Sequence, residues 1–154
     1  MIDNIIIRKA SLNDLPILKA FEQEIVKAER PFDSSLKDGE PHYYNFEDLL
    51  ASPKAIILVA EIDNEIAGSG FAEIKKADLF LKHDEYAYVG FMYVKPALRG
   101  KGINQRILQV LKDWISEKKI TEVRLMVYDE NMLAKNAYLK AGFKAHVLEM
   151  RLEL

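Results

Sequence analysis

Leu98-Arg99-Gly100-Lys101-Gly102-Ile103-Asn104 is the stretch on which the reading of this chain turns. Before it stands Tyr86-Ala87-Tyr88-Val89-Gly90-Phe91-Met92-Tyr93-Val94, an apolar and aromatic run rich in strand formers. After it, Ile103, Ile107, Leu111 and Trp114 recur at helical spacing, with charged or amide residues between them. A strand thus leads into a glycine-rich turn, and the turn opens a helix. Glycine lets the backbone turn sharply and approach a ligand closely. The first amides of a helix have no internal partner and lie at the positive end of its dipole, a combination that binds phosphate. Arg99, Lys101 and Arg106 add positive charge. An ordinary strand-to-helix turn with solvated basic side chains is the plainer account of the same residues.

The 154 residues fall within the ~100–200 usual for a domain, so one domain over residues 1–154 is expected. Hydrophobic residues make up 49%, enough for a sizeable core and against disorder. Lysine and arginine number 22 against 24 acidic residues, and the net charge of -2 argues against a nucleic-acid partner. There is no cysteine, which removes disulfides, thiolate metal ligands and a cysteine nucleophile together. A cytoplasmic location fits that composition. Met1-Ile2-Asp3-Asn4 lacks the pattern of a secretory signal, and no apolar run approaches the ~18 residues of a membrane helix, so no membrane partner is expected. The three histidines are scattered, and no metal is expected.

Taken in order, Ile5-Ile6-Ile7 is a short apolar strand. Asn13 is the favoured helix cap, because Pro16 is tolerated only near a helix start. Leu15, Leu18, Phe21 and Ile25 form the apolar stripe of a helix to about Ala28, and Lys19, Glu22, Glu24 and Lys27 read as its solvated face. Residues 30–45, with Pro31, Gly39 and Pro41, read as a long loop of the kind that often carries function. Asn45 caps a short helix over residues 46–51, which Pro53 stops. Residues 55–60 are a buried strand, Asp63-Asn64 a hairpin turn and residues 65–75 the returning strand, in which Gly68 and Gly70 mark a bulge or close packing. A polar loop over 76–85 leads to the central strand, and the helix after the turn runs to about Lys119. Residues 123–127 are a further strand. Asn131 caps a helix that runs through Ala141 and ends at Gly142, and residues 144–153 read as a final strand of alternating character. A hairpin meander followed by two strand–helix units implies a mixed sheet with helices on both faces.

Three phosphate-binding patterns compete for the central turn. A nucleoside-triphosphate loop needs Lys and then Ser or Thr after the glycine, but Ile103 follows Gly102. A dinucleotide fingerprint needs a third glycine where Gln105 stands, and Glu122, at the right offset for its acidic residue, begins a strand instead of ending one. The third pattern fits. Val94-Lys95-Pro96-Ala97-Leu98-Arg99-Gly100-Lys101-Gly102-Ile103-Asn104, closing a strand, resembles the acyl-CoA pyrophosphate loop of the GNAT N-acetyltransferases. Asn131-x-x-Ala134-x-x-x-Tyr138-x-x-x-Gly142-Phe143 is similar to that family's final helix and following strand, at the expected separation. The first 85 residues match in element order alone. Two positions depart from the pattern: Asn104 stands where relatives have Gly or Ala, and Gly90 and Phe91 stand where many carry a Glu or Asp base. That base is not transferred.

The resemblance implies an α/β (α+β) fold of the acyl-CoA N-acyltransferase type, with a mixed central sheet of six to seven strands, helices on both faces and a splayed parallel pair. It implies acetyl-CoA as co-substrate, a primary amine of a small molecule or peptide as acceptor, and direct attack in a ternary complex. A homodimer is compatible with family habit. Met92, Tyr93 and Val94 would then pair with pantetheine, and the amides of Arg99, Gly100, Lys101, Gly102, Ile103 and Asn104 would hold the pyrophosphate. The Val94 amide would polarise the thioester carbonyl, Asn131 would cap its helix and touch the cofactor, and Tyr138 would be the general acid. A phenol of pKa ~10 keeps its proton at neutral pH and can donate it. The acceptor's base stays open among Glu73, His42 and solvent, with Tyr43 and Tyr44 as candidates for the acceptor pocket. A non-catalytic acyl-CoA-binding module of the same fold is the alternative, motivated by the missing strand carboxylate.

Overall fold

The computed structural model describes residues 3–154. Its sheet grows from one hairpin. Asp63 and Asn64 adopt left-handed backbone angles, φ 51° and 65°, as a two-residue hairpin turn requires. They join β2 (Ala55–Ile62) to β3 (Glu65–Lys76). β1 (Ile6–Lys9) pairs antiparallel with β2, and β4 (Glu85–Val94) pairs antiparallel with β3. β5 (Val123–Arg124) lies parallel to β4 and ends the order β1-β2-β3-β4-β5.

Side chains alternate across the sheet, so each face acquires its own core. On one face, Ile103, Ile107, Leu111 and Ile115 of α3 (Ile103–Glu117) cover Ile56, Leu58, Ala72 and Val89. On the other, Leu18 and Phe21 of α1 (Leu15–Glu29) and Phe46 of α2 (Phe46–Ala51) cover Ile57, Val59, Phe71 and Phe91. α4 (Met132–Lys140) follows β5 and has no buried residue. Among the described residues no helix is long and apolar enough to cross a membrane.

Local chemistry sets the helix ends. α1 is preceded by a 3-10 turn, Leu12–Asp14, whose cap is Ser11, not Asn13. The Ser11 amide donates to Asp14 Oδ2 at 2.8 Å, and Arg8 meets the same oxygen at 2.8 Å. Arg8, with burial opposing it, holds the Asp14 carboxyl below its usual range. Asn45 Oδ1 accepts from the Asp48 amide and starts α2. Gly142, at φ 100°, ends α4, where the Phe143 amide reaches back to the Tyr138 carbonyl at 3.0 Å.

The sheet has five strands, not the six to seven expected. Residues 144–153 alternate as a strand should, yet they are exposed throughout and join no ladder. Alternation prepares a segment for a sheet, but a strand exists only beside a hydrogen-bonded neighbour. β5 likewise stops at Arg124 instead of reaching residue 127.

The glycines of β3 permit an irregular β4. Between Gly90 and Tyr93, β4 holds one residue more than β3 opposite it, and Phe91 sits there at φ 55°. A Cβ on Gly70 would stand 2.6 Å from Met92 Sδ, and one on Gly68 would stand 2.7 Å from the Tyr93 carbonyl oxygen. Gly68→Ala therefore has to move main chain. It is expected to destabilise the fold by about 1–3 kcal/mol in urea denaturation, the usual range for overpacking.

Candidate active site

The site begins where β4 and β5 part. Only Ala87 with Val123 and Tyr88 with Arg124 are paired, and the Ala87 amide donates to the Glu122 carbonyl at 2.9 Å. Beyond Tyr88, β4 has β3 on one side and no strand on the other. The direction of its free groups follows from the ladder. Val94 stands opposite Gly68, and its neighbour Lys95 donates to the Ala67 carbonyl at 2.9 Å. Antiparallel positions alternate between bonded and non-bonded pairs, so the Val94 N–H and C=O point away from β3 into the gap. Arg99 Nε donates to that carbonyl at 2.9 Å, which leaves the Val94 N–H as the open donor.

The same edge runs into the glycine turn. Gly100 and Gly102 adopt φ 76° and 84°, and a Cβ built on either would meet nothing within 4 Å. Gly102 brings no side chain to cap α3, so the amides of Ile103, Asn104 and Gln105 have no partner within the helix. These open amides beside the exposed Lys101 suit a diphosphate. Two expected contributions change. The Arg99 amide donates to the Pro96 carbonyl at 3.3 Å and is already engaged within the preceding turn. Arg106 donates to the Ile5 carbonyl at 3.2 Å and so ties α3 to the start of β1.

A cluster of phenols and carboxylates adjoins the gap. Glu29, at the end of α1, is half-buried and has no hydrogen-bond or ion-pair partner among the described residues. Burial, and then the charge of Asp33, raise its pKa. The charge of Glu29 in turn raises the pKa of Tyr43, Tyr44, Tyr88, Tyr128 and Tyr138, after burial as the leading cause in each. Each of these phenols thus lies close enough to Glu29 to feel its charge. Tyr138 is half-buried, packs edge-on against Phe143 at 5.9 Å and has its pKa pushed up to about 12. Tyr43 is also pushed up to about 12, and its buried hydroxyl has no hydrogen-bond partner. Tyr128 donates to Asp33 Oδ2 at 2.9 Å and stacks on Phe32, which fastens the loop after α1 to the chain beyond β5.

Other expected residues fall elsewhere. Glu22, read as part of a solvated face, is completely buried, because its Oε2 accepts from the amides of Tyr43 and Tyr44, each at 2.9 Å. His42 pairs with the other oxygen of Glu22 at 2.9 Å, while 67% of its side chain faces solvent. Tyr44 fills an aromatic cluster with Phe46, Phe71 and Phe91 and so belongs to the core. Glu73 lies opposite Tyr88 in the ladder, on the same face, with Lys75 at 4.0 Å. Asn131 caps α4 through the Ala134 amide at 3.3 Å. The sequence reading missed Glu29 and Asp33, although Glu29 borders the loop it marked as functional and Asp33 lies within it. Among the described residues, no group of three or more His, Asp or Glu is arranged to hold a metal ion.

A splayed parallel pair beside an open-amide turn defines an acyltransferase-type α+β fold, and comparison with known proteins agrees. The profile of the acetyltransferase (GNAT) family matches residues 22–143, and the chain belongs to that family. Three solved structures share its fold. The tetramutant of the BH1408 protein from Bacillus halodurans is 22% identical, with 97% of this chain and 99% of that chain covered and a TM-score of 0.86. A predicted acetyltransferase from Clostridium acetobutylicum, solved with acetyl-CoA, is 22% identical, with 97% and 96% covered and a TM-score of 0.76. AAC(6')-Iy, in complex with the bisubstrate analog CoA-S-monomethyl-acetylneamine, is 16% identical, with 99% and 100% covered and a TM-score of 0.74. No curated protein matches the chain.

Glu22 holds the loop that places Tyr43. Glu22→Ala strands two amides, and each is expected to cost about 1–3 kcal/mol in chemical denaturation. Hydrogen exchange over residues 33–45 should accelerate in the same variant. Glu22→Gln, which keeps one acceptor oxygen, should lose less on both measures.

Proposed function

We propose that this protein transfers an acetyl group from acetyl-CoA to the primary amine of a small molecule or peptide that carries positive charge. One observation carries the reading: the unpaired edge of β4, with the Val94 N–H directed into the gap, continues into a turn of open amides. Acetyl-CoA, as co-substrate, supplies an acetyl group activated as a thioester. The amides of residues 100–105, with Lys101, bind its diphosphate. The edge at Met92, Tyr93 and Val94 receives the pantetheine arm, and the Val94 N–H faces the thioester oxygen where negative charge develops. Asn131 keeps the start of α4 beside the same group.

Tyr138 protonates the departing thiolate. Glu29 takes the proton from the amine, a role the sequence left open. A half-buried carboxylate without a hydrogen-bond partner among the described residues attracts an ammonium group and then accepts its proton. The acceptor class draws support from AAC(6')-Iy, solved in complex with the bisubstrate analog CoA-S-monomethyl-acetylneamine.

Free-CoA release measured over a panel of amines tests the reaction. Tyr138→Phe is expected to lower kcat by roughly 10²-fold, the scale of general-acid catalysis, with little change in the KM for acetyl-CoA. A variant that keeps full activity would remove Tyr138 from the mechanism.

The pH profile separates the two proton carriers. Glu29 works ionised and its pKa is raised, so activity should climb as pH rises through that pKa, and Glu29→Gln should abolish this limb. Tyr138 works protonated, so its descending limb should lie out toward pH 12. Calorimetry checks the cradle independently of turnover. Acetyl-CoA and CoA should bind alike and pantetheine far more weakly, whereas equal binding of all three would count against a diphosphate site.

A further inference from the structure

Glu29 ends α1, and Tyr138 lies far along the chain on α4. α4 buries none of its residues, so the core has little hold on it. Residues 144–154, beyond it, make no main-chain hydrogen bond to the other described residues. What meets the loop after α1 from this part of the chain is a set of side chains gathered on Asp33. The Asp33 side chain is 12% exposed and takes donors from three segments. In its own loop, the Ser35 amide donates to Oδ1 at 2.9 Å. Beyond β5, the Tyr128 hydroxyl donates to Oδ2 at 2.9 Å, and Phe32 stacks on the same ring at 6.2 Å. From the C-terminal segment, Arg151 donates to Oδ1 at 3.3 Å and to Ser35 Oγ at 2.8 Å. Tyr128 stands where α4 begins: its carbonyl accepts from the Asn131 amide at 2.9 Å, and Asn131 caps α4. Asp33 closes the 3-10 turn Arg30–Phe32 that continues α1, its amide donating to the Arg30 carbonyl at 3.3 Å.

We propose that Asp33 is a positioning residue for acetyl transfer, which keeps the base Glu29 and the general acid Tyr138 in register by tying the end of α1 to the start of α4. The inference rests on the acetyl-transfer reading above. The tie suits a carboxylate. When ionised it only accepts, and its two oxygens can take several donors at once. An asparagine there would turn its own N–H groups toward one of those donors. The Ser35, Tyr128 and Arg151 hydrogen bonds hold the Asp33 carboxyl well below the usual range, so the tie stays charged at neutral pH. That charge also reaches Glu29, whose pKa it raises after burial has done so. The phenols that feel Glu29, on Tyr43, Tyr44, Tyr88, Tyr128 and Tyr138, keep their protons at neutral pH. Arg30, next to Glu29, turns to the Gly39 carbonyl at 2.9 Å. Asp33 is therefore the charge that acts on the base.

Tyr128→Phe removes one donor while the ring and the Asp33 charge remain. It should lower kcat/KM for the amine by roughly 10-fold, within the ~10² that a misplacement of about 1 Å can cost. The KM for acetyl-CoA, held at the β4 edge and the glycine turn, should not move. A loss shared equally by both substrates, or no loss, overturns the positioning role. Arg151→Ala cuts the second tie at a side chain that is 62% exposed and should show the same split. Asp33→Asn should show it too, and should also shift the ascending limb of the pH profile to lower pH, because the charge that raises the Glu29 pKa is gone. Tyr128→Phe should leave that limb in place. A limb that stays put in Asp33→Asn overturns the link to Glu29. Hydrogen exchange reports the tie without turnover: in Tyr128→Phe it should accelerate over residues 30–36 and 128–134 together. Unchanged exchange overturns the tie, whereas a wild-type chain that acetylates no amine overturns the acetyl-transfer reading instead.

Discussion

Everything in the site depends on the parting of β4 from β5 after two paired residues. Two parallel strands that stay together satisfy each other's main chain. Two that separate leave a row of donors and acceptors facing a cleft, and such groups seek partners. Arg99 occupies one of them, the Val94 carbonyl, and thereby leaves the Val94 N–H as the open donor. The bulge at Phe91 is part of the same arrangement. It bends β4 locally, is steadied by Ser69 Oγ donating to the Phe91 carbonyl at 3.0 Å, and is allowed by two glycines on β3 that leave room for the displaced backbone.

Three carboxylates near the loop after α1, Glu22, Asp33 and Glu29, sit in three different environments. Glu22 is buried but both of its oxygens meet hydrogen-bond partners, two amides and a histidine, so its work is to hold a loop. Asp33 accepts from Ser35, Tyr128 and Arg151, which hold its carboxyl well below the usual range and tie distant segments together. Glu29 has burial without a hydrogen-bond or ion-pair partner among the described residues, and its pKa moves the other way. A carboxylate that is desolvated and unmatched is the one suited to moving a proton.

Much of this was legible in the residues. The strand, the glycine turn and the helix stood out because hydrophobic period and glycine placement are local signals. So did the Asn45 and Asn131 caps and the Asp63-Asn64 turn, each confirmed by its hydrogen bond or backbone angle. Glu22 misled because a helical wheel shows which face a residue occupies but not what a later loop will bring against it. Farther along the chain, by 21 and 22 residues, Tyr43 and Tyr44 turn their amides toward it and close it off from water. Tyr44 misled for the converse reason, since a loop residue with a polar tip was drawn into the aromatic core by Phe71 and Phe91.

The sequence by itself determined the order of elements as far as α4, the central glycine turn that opens α3, and the family, because period, capping and glycine placement act over a few residues. The tertiary structure alone decided which way the Val94 amide points, which of many carboxylates is left without a partner, and that the last alternating segment stands apart from its own sheet. Those outcomes depend on contacts between residues tens of positions apart, and no local pattern encodes them.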